Sequence, residues 1–131
     1  CGRSLGRDFL PPSAKHPTEE ELKEILAQEN ENNRKRKRPE VTLEQVRERY
    51  GKSYREMLEQ VRTTLDELGQ RFPQYKGQGY EIKGFVWFQG WNDLINAPYA
   101  DAYAANLEAL IRDVRKDLKT ANLPVVIAQS G

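Results

Sequence analysis

A single cysteine, a single histidine and a single methionine in 131 residues limit the chemistry before any motif is read. Cys1 has no partner for an internal disulfide and carries no information on compartment. His16 is the only imidazole, set between Lys15 and Pro17 with no aspartate three residues before it. No apolar run is long enough to read as a signal peptide or a membrane span. Charge of one sign is also lacking: 21 lysines and arginines meet 20 acidic residues, and a net charge of +1 sets up no overall field for nucleic acid or an anionic membrane. The length suits one modest domain and is short for a complete doubly wound α/β domain. The chain starts at Cys1 and ends in Val125-Val126-Ile127-Ala128-Gln129-Ser130-Gly131, which reads as a strand reaching its polar end, so an internal fragment of a longer protein is expected.

What is present centres on Lys83-Gly84-Phe85-Val86-Trp87-Phe88-Gln89-Gly90-Trp91-Asn92-Asp93. Phe85 and Trp87 fall on one side of an extended chain and Val86 and Phe88 on the other. Both faces are apolar, as in a central parallel strand covered by helices on both sides. Ligands of open α/β sheets bind beyond the carboxyl ends of the strands, which places Gln89, Gly90, Asn92 and Asp93 at the rim. A packed strand followed by a polar turn fits the same pattern.

Cys1 to Pro12 shows no strand pattern and runs into a double proline that forbids helix. Gly2-Arg3-Ser4-Leu5-Gly6 fits the G-x-S-x-G nucleophile elbow, which requires a strand before it and a helix after it, and neither flank shows in the sequence; a surface turn of small residues fits better. Residues 15–52 are dominated by charge. Capping boxes at Thr18/Glu21 and Thr42/Gln45 predict a helix from Thr18 to Asn30 with little to bury, and a short one with Leu43, Val46 and Tyr50 that ends at Gly51. Between them, Arg34-Lys35-Arg36-Lys37-Arg38 fits a nucleic-acid-binding run or a targeting signal and fits a solvated linker better, since no aromatic is interleaved to stack on a nucleic acid. From Ser53, the spacing of Tyr54, Met57, Leu58, Val61, Leu65 and Leu68 predicts a long helix on a sheet, ended by Gly69 and Pro73. Leu94 to Pro98 reads as a loop, followed by a helix carrying Tyr103, Leu107, Leu110, Ile111, Val114 and Leu118, with Lys116 and Lys119 near its end. Strand, helix and strand from Phe88 to Val125 make a right-handed βαβ unit and an at least partly parallel sheet.

Gly90-Trp91-Asn92-Asp93 resembles the G-x-N-D block of the SGNH hydrolase superfamily, and Trp87-Phe88-Gln89-Gly90 is similar to the W-Y/H-Q-G run of its sialate O-acetylesterase and acetylxylan esterase branch. Trp91 stands where that branch more often has Glu. The resemblance implies a three-layer α/β sandwich with a mainly parallel, flavodoxin-like sheet, incomplete here and carrying the charged helical insertion at 15–52. It implies a serine esterase removing acetyl groups from carbohydrate, with no metal or cofactor and no nucleic-acid or membrane partner. Asn92 would donate to the oxyanion, an assignment its neutral amide suits. Gly2 would be the surviving glycine of the second block, whose N–H also faces the oxyanion, and Ser4 would then not be a nucleophile. Gln89, Gly90, Trp91 and Asp93 would shape the pocket and its loop. The nucleophilic Ser of a G-D-S or G-Q-S block and the His of a D-x-x-H block are both absent, consistent with a chain clipped at each end. A non-catalytic α/β binding or scaffold protein using the charged insertion is the alternative.

Overall fold

In the structure, a computed structural model describing residues 2–128, the apolar run forms a three-residue strand β1 (Phe85–Trp87) that pairs in parallel with β2 (Val125–Ile127). The register sets Phe85 against Val125, Val86 against Val126 and Trp87 against Ile127. Gly84 and Pro124 bound the strands, and the ladder is closed by Phe85 N–H on the Pro124 carbonyl and Ala128 N–H on the Trp87 carbonyl, both 2.9 Å. Between them run a short helix α5 (Trp91–Leu94) and the 21-residue α6 (Ala97–Asp117), the crossover a parallel pair needs.

The expectation that both faces of β1 are covered is corrected. Trp87 is 4% exposed, but Val86 and Phe88 are 68% and 69% exposed, and Val126, which shares a face with Val86, is 59% exposed. The Trp87 side of β1 is packed against the core, the Val86 side is bare among the described residues, and Ile127, opposite Trp87, is itself 52% exposed. The mixed α/β class stands, with two parallel strands and six helices among the described residues.

The covered face packs Trp87 with Leu5, Tyr54, Leu58, Leu110, Val114 and Leu123. Helix α6 supplies Asn106, Ala109, Leu110, Asp113 and Val114, the i, i+3, i+4, i+7, i+8 face of a helix. The apolar stripe predicted for it packs as expected, with Leu110 and Val114 buried and Tyr103, Leu107 and Leu118 half-buried against the core, and two polar residues, Asn106 and Asp113, join the face, Asp113 accepting the Ser13 N–H at 2.8 Å. The predicted long helix is also broken. Helix α3 (Lys52–Asp66) buries Ser53, Tyr54 and Leu58, stops at Glu67, and is followed by a single turn α4 (Leu68–Arg71) that contains Gly69 rather than ending at it.

Both capping boxes form, at Thr18 and Thr42. Helix α1 (Glu19–Lys35) runs past Asn30 into the basic stretch, where Lys35 pairs with Glu31 at 2.7 Å and Arg34 with Glu40 at 2.9 Å. It buries only Leu22, and α2 (Leu43–Arg49) only Val46. Gly51 does more than close α2. It caps the start of α3 at φ 72°, and its N–H donates to the Arg7 carbonyl at 2.7 Å. A Cβ there would lie 2.7 Å from the Leu10 carbonyl oxygen. Gly51→Ala is expected to destabilise the fold by at least ~1–2 kcal/mol, the cost of a left-handed non-glycine residue before any clash is counted. An unchanged melting temperature would contradict that.

Tyr54 couples the core to pH. Its ring is 1% exposed and its hydroxyl donates to Asp117 Oδ2 at 2.6 Å. Burial, then the hydrogen bond and negative charge of Asp117, push its pKa well up, and burial pushes the half-buried Tyr50 up to about 12. Because the folded state holds the phenol proton more tightly than the unfolded chain, this stability is complete below pH ~10 and is lost as pH rises further. The chain should unfold in alkali above pH ~10, with a shallower pH dependence in Tyr54→Phe, as measured by circular dichroism against pH.

Candidate active site

At the carboxyl end of β1 the chain turns sharply through Gln89 and Gly90 into α5, and the N-terminal segment lies against that turn. The contact is built on Asp93, which is 1% exposed. Its Oδ2 accepts the Leu5 N–H at 2.9 Å and its Oδ1 the Gly6 N–H at 2.7 Å. Gln89 Nε2 donates to Asp93 Oδ2 at 2.6 Å and to the Arg3 carbonyl at 3.0 Å. The same carbonyl accepts from Asn92 Nδ2 at 3.0 Å. Three N–H groups thus compensate one buried carboxylate, as burial of a charge requires.

These bonds bring together residues far apart in sequence. A Cβ built on Gly2 would lie 3.6 Å from Asn92 Nδ2. Gly2, Arg3, Met57, Gln89, Trp91 and Asn92 are among the residues lining an open cleft of about 1200 Å³, which continues over the bare apolar face. Trp91 stands 62% exposed on its rim. All six residues singled out in the sequence, Gly2, Gln89, Gly90, Trp91, Asn92 and Asp93, therefore meet at one place, Asp93 beneath the surface and the other five along the cleft.

The elbow reading of Gly2-Arg3-Ser4-Leu5-Gly6 does not survive. Residues 5–9 form turns rather than the helix an elbow needs. Ser4 is 3% exposed, with its N–H and Oγ both donating to Asp8 Oδ2 at 2.9 and 3.2 Å. His16 lies elsewhere, its Nε2 3.0 Å from the Pro11 carbonyl, beside a second cavity lined by Glu19, Leu22 and Arg47. No hydrogen bond joins Ser4 to His16 among the described residues. No cluster of three His, Cys, Asp or Glu side chains able to hold a metal occurs among them, and no helix among them is long and apolar enough to cross a membrane. The predicted polar end of the last strand, Gln129 and Ser130, lies outside the described residues.

Two contributors escaped the sequence reading. Tyr103, read as one more apolar position on α6, donates its hydroxyl to the Gln89 carbonyl and accepts the Trp87 Nε1–H at 3.0 Å, pinning the turn from below. The Arg3 backbone carbonyl is the shared acceptor of two site amides, and a backbone atom leaves no mark in a sequence.

This arrangement offers a neutral amide, fixed by one of its two hydrogens, beside a glycine backbone at an open cleft, which is chemistry suited to developing negative charge on an oxygen. A probable carbohydrate esterase of Arabidopsis thaliana is 32% identical over 69 residues, covering 50% of this chain and 26% of that protein. The chain thus spans about a quarter of the length of that relative. No solved structure matches. The family model described as carbohydrate esterase, sialic acid-specific acetylesterase matches residues 40–131, well over half of the chain, taking in the Gly90-Trp91-Asn92-Asp93 turn but not Gly2. The chain belongs to this carbohydrate esterase family.

Proposed function

We propose that these residues form the oxyanion-binding part of a serine esterase that removes acetyl groups from carbohydrate. The observation that carries this reading is the Asn92 amide, held by the Arg3 carbonyl at 3.0 Å and close to the Gly2 backbone. On this reading a serine attacks the acetyl carbonyl, and the oxygen that becomes negative in the tetrahedral intermediate takes the second amide hydrogen of Asn92 and the Gly2 N–H. The acyl-enzyme is then hydrolysed. Gln89 and Asp93 shape the turn, and Trp91 offers an exposed indole wall on which a sugar ring can stack.

The nucleophile and its histidine base belong, in this proposal, to parts of the protein outside these 131 residues, as do the further strands of a three-layer sandwich and the helix layer that covers Val86, Phe88 and Val126. Residues 15–52 are read as a charged helical insertion, supported by how little α1 and α2 bury. The 131-residue chain alone is expected to hydrolyse a chromogenic acetate ester no faster than buffer, because an oxyanion donor without nucleophile and base lacks the covalent step. Turnover abolished by Ser4→Ala would contradict this. The full-length protein, incubated with acetylated sialic acid and acetylated xylan, is expected to release acetate from at least one of them. Failure of the folded full-length protein to release acetate from any acetylated glycan would overturn the proposal.

A further inference from the structure

We infer that Asp93, together with Gln89, is a positioning residue that sets the distance between the two oxyanion donors; the inference rests on the function proposed above. The Asn92 amide sits on the turn after β1, whereas Gly2 sits on a segment with no regular structure of its own, whose residues 5–9 are turns. Such a segment has no ladder or helix to fix it; Leu5 anchors it in the core, and at the turn its placement depends on the bonds that tie it down. Asp93 provides two of them, through Leu5 and Gly6, across separations of 88 and 87 residues. Gln89 adds a third, to the Arg3 carbonyl, and that carbonyl also orients the Asn92 amide.

The orientation of the Gln89 amide is itself determined. Both partners of its Nε2, the Asp93 carboxylate and the Arg3 carbonyl, are pure acceptors, so the amide cannot be turned around. The carboxylate reads the segment through two backbone N–H groups at once, a match that only two acceptor oxygens provide. An isosteric Asn at this position would face one N–H with its own NH₂ group and lose that bond. Asp93 itself lies beneath the surface and acts through Asn92 and Gly2 without touching substrate.

The test is a kinetic double-mutant cycle in the full-length protein with a chromogenic acetate ester, using Asp93→Asn, Asn92→Ala and their combination, each checked for folding by circular dichroism. A displacement of donors by about 1 Å is expected to lower kcat on the order of 10²-fold in Asp93→Asn, with KM changed much less. In the Asn92→Ala background the same substitution should lose part of that effect, because only one of the two donors whose spacing it sets, the Gly2 N–H, remains. If Asp93→Asn does not fold, Gln89→Met carries the same cycle, since it leaves the Leu5 and Gly6 bonds in place. Loss of kcat in Asn92→Ala with none in the clamp variant, or equal losses in both backgrounds, overturns the clamp and leaves the proposed function standing. No loss in Asn92→Ala overturns both.

Discussion

Trp87→Ala is expected to destabilise the chain by about 3–5 kcal/mol, the range for truncating a large buried aromatic side chain. Trp87 is 4% exposed and is the residue through which β1 grips the core. Phe9 meets its ring edge-on, with centroids 5.2 Å apart and planes at 88°, and Phe85 stacks at 6.3 Å. Its Nε1 donates to the Tyr103 hydroxyl at 3.0 Å, so truncation also removes the donor beneath the Gln89 turn. Since a whole domain is stable by only ~5–15 kcal/mol, one such loss is enough to leave much of the population unfolded. Trp87→Phe keeps most of the buried area and loses the N–H, and should cost clearly less. Urea unfolding followed by circular dichroism measures both; a Trp87→Ala variant whose midpoint matches the parent would mean that β1 is not anchored through this ring.

The sequence was most informative where a local rule acts alone. Thr18 with Glu21 and Thr42 with Gln45 are self-contained capping devices, and both form as read. The strand at Phe85 and the parallel pairing to Val125 followed from a short apolar run and the spacing to the next one. Legibility fell where partners come from far along the chain. The period of α3 continues through Leu65 to Leu68, yet the helix breaks at Glu67 because the end of the apolar stripe is only half-buried and holds it weakly. Asn106 and Asp113 carry no mark of burial in the apolar period of α6, because burial of a polar residue depends on a distant partner, such as the Ser13 N–H for Asp113. The opposite error came at Val86 and Phe88. Apolar character says that a face suits burial, and it cannot say whether anything among these residues covers it. At the site, the G-x-N-D turn was visible as a motif, whereas its junction with residues 3–6 runs through backbone N–H and C=O groups common to every residue.

If the proposed function holds, Asn92→Ala is expected to lower kcat of the full-length protein on the order of 10²–10³-fold, about 3–4 kcal/mol, with little change in KM. The hydrogen bond it removes would form to the tetrahedral oxyanion and hardly to the ground-state carbonyl, so the loss falls on the transition state. Folding should be spared, because Asn92 is partly exposed and its one hydrogen bond among the described residues, to Arg3, is duplicated by Gln89. Trp91→Ala supplies the contrast. Its exposed indole lines the cleft and, on the proposed reading, meets the sugar rather than the acetyl carbonyl, so the substitution should raise KM for a sugar ester and leave kcat nearly intact.

The most direct measurement is therefore steady-state kcat and KM of the parent, Asn92→Ala and Trp91→Ala full-length proteins on one acetylated sugar. A collapse of kcat in Asn92→Ala beside a KM effect in Trp91→Ala is the predicted result. A normally folded Asn92→Ala with turnover within a few-fold of the parent would make Asn92 a structural turn residue and contradict the oxyanion site.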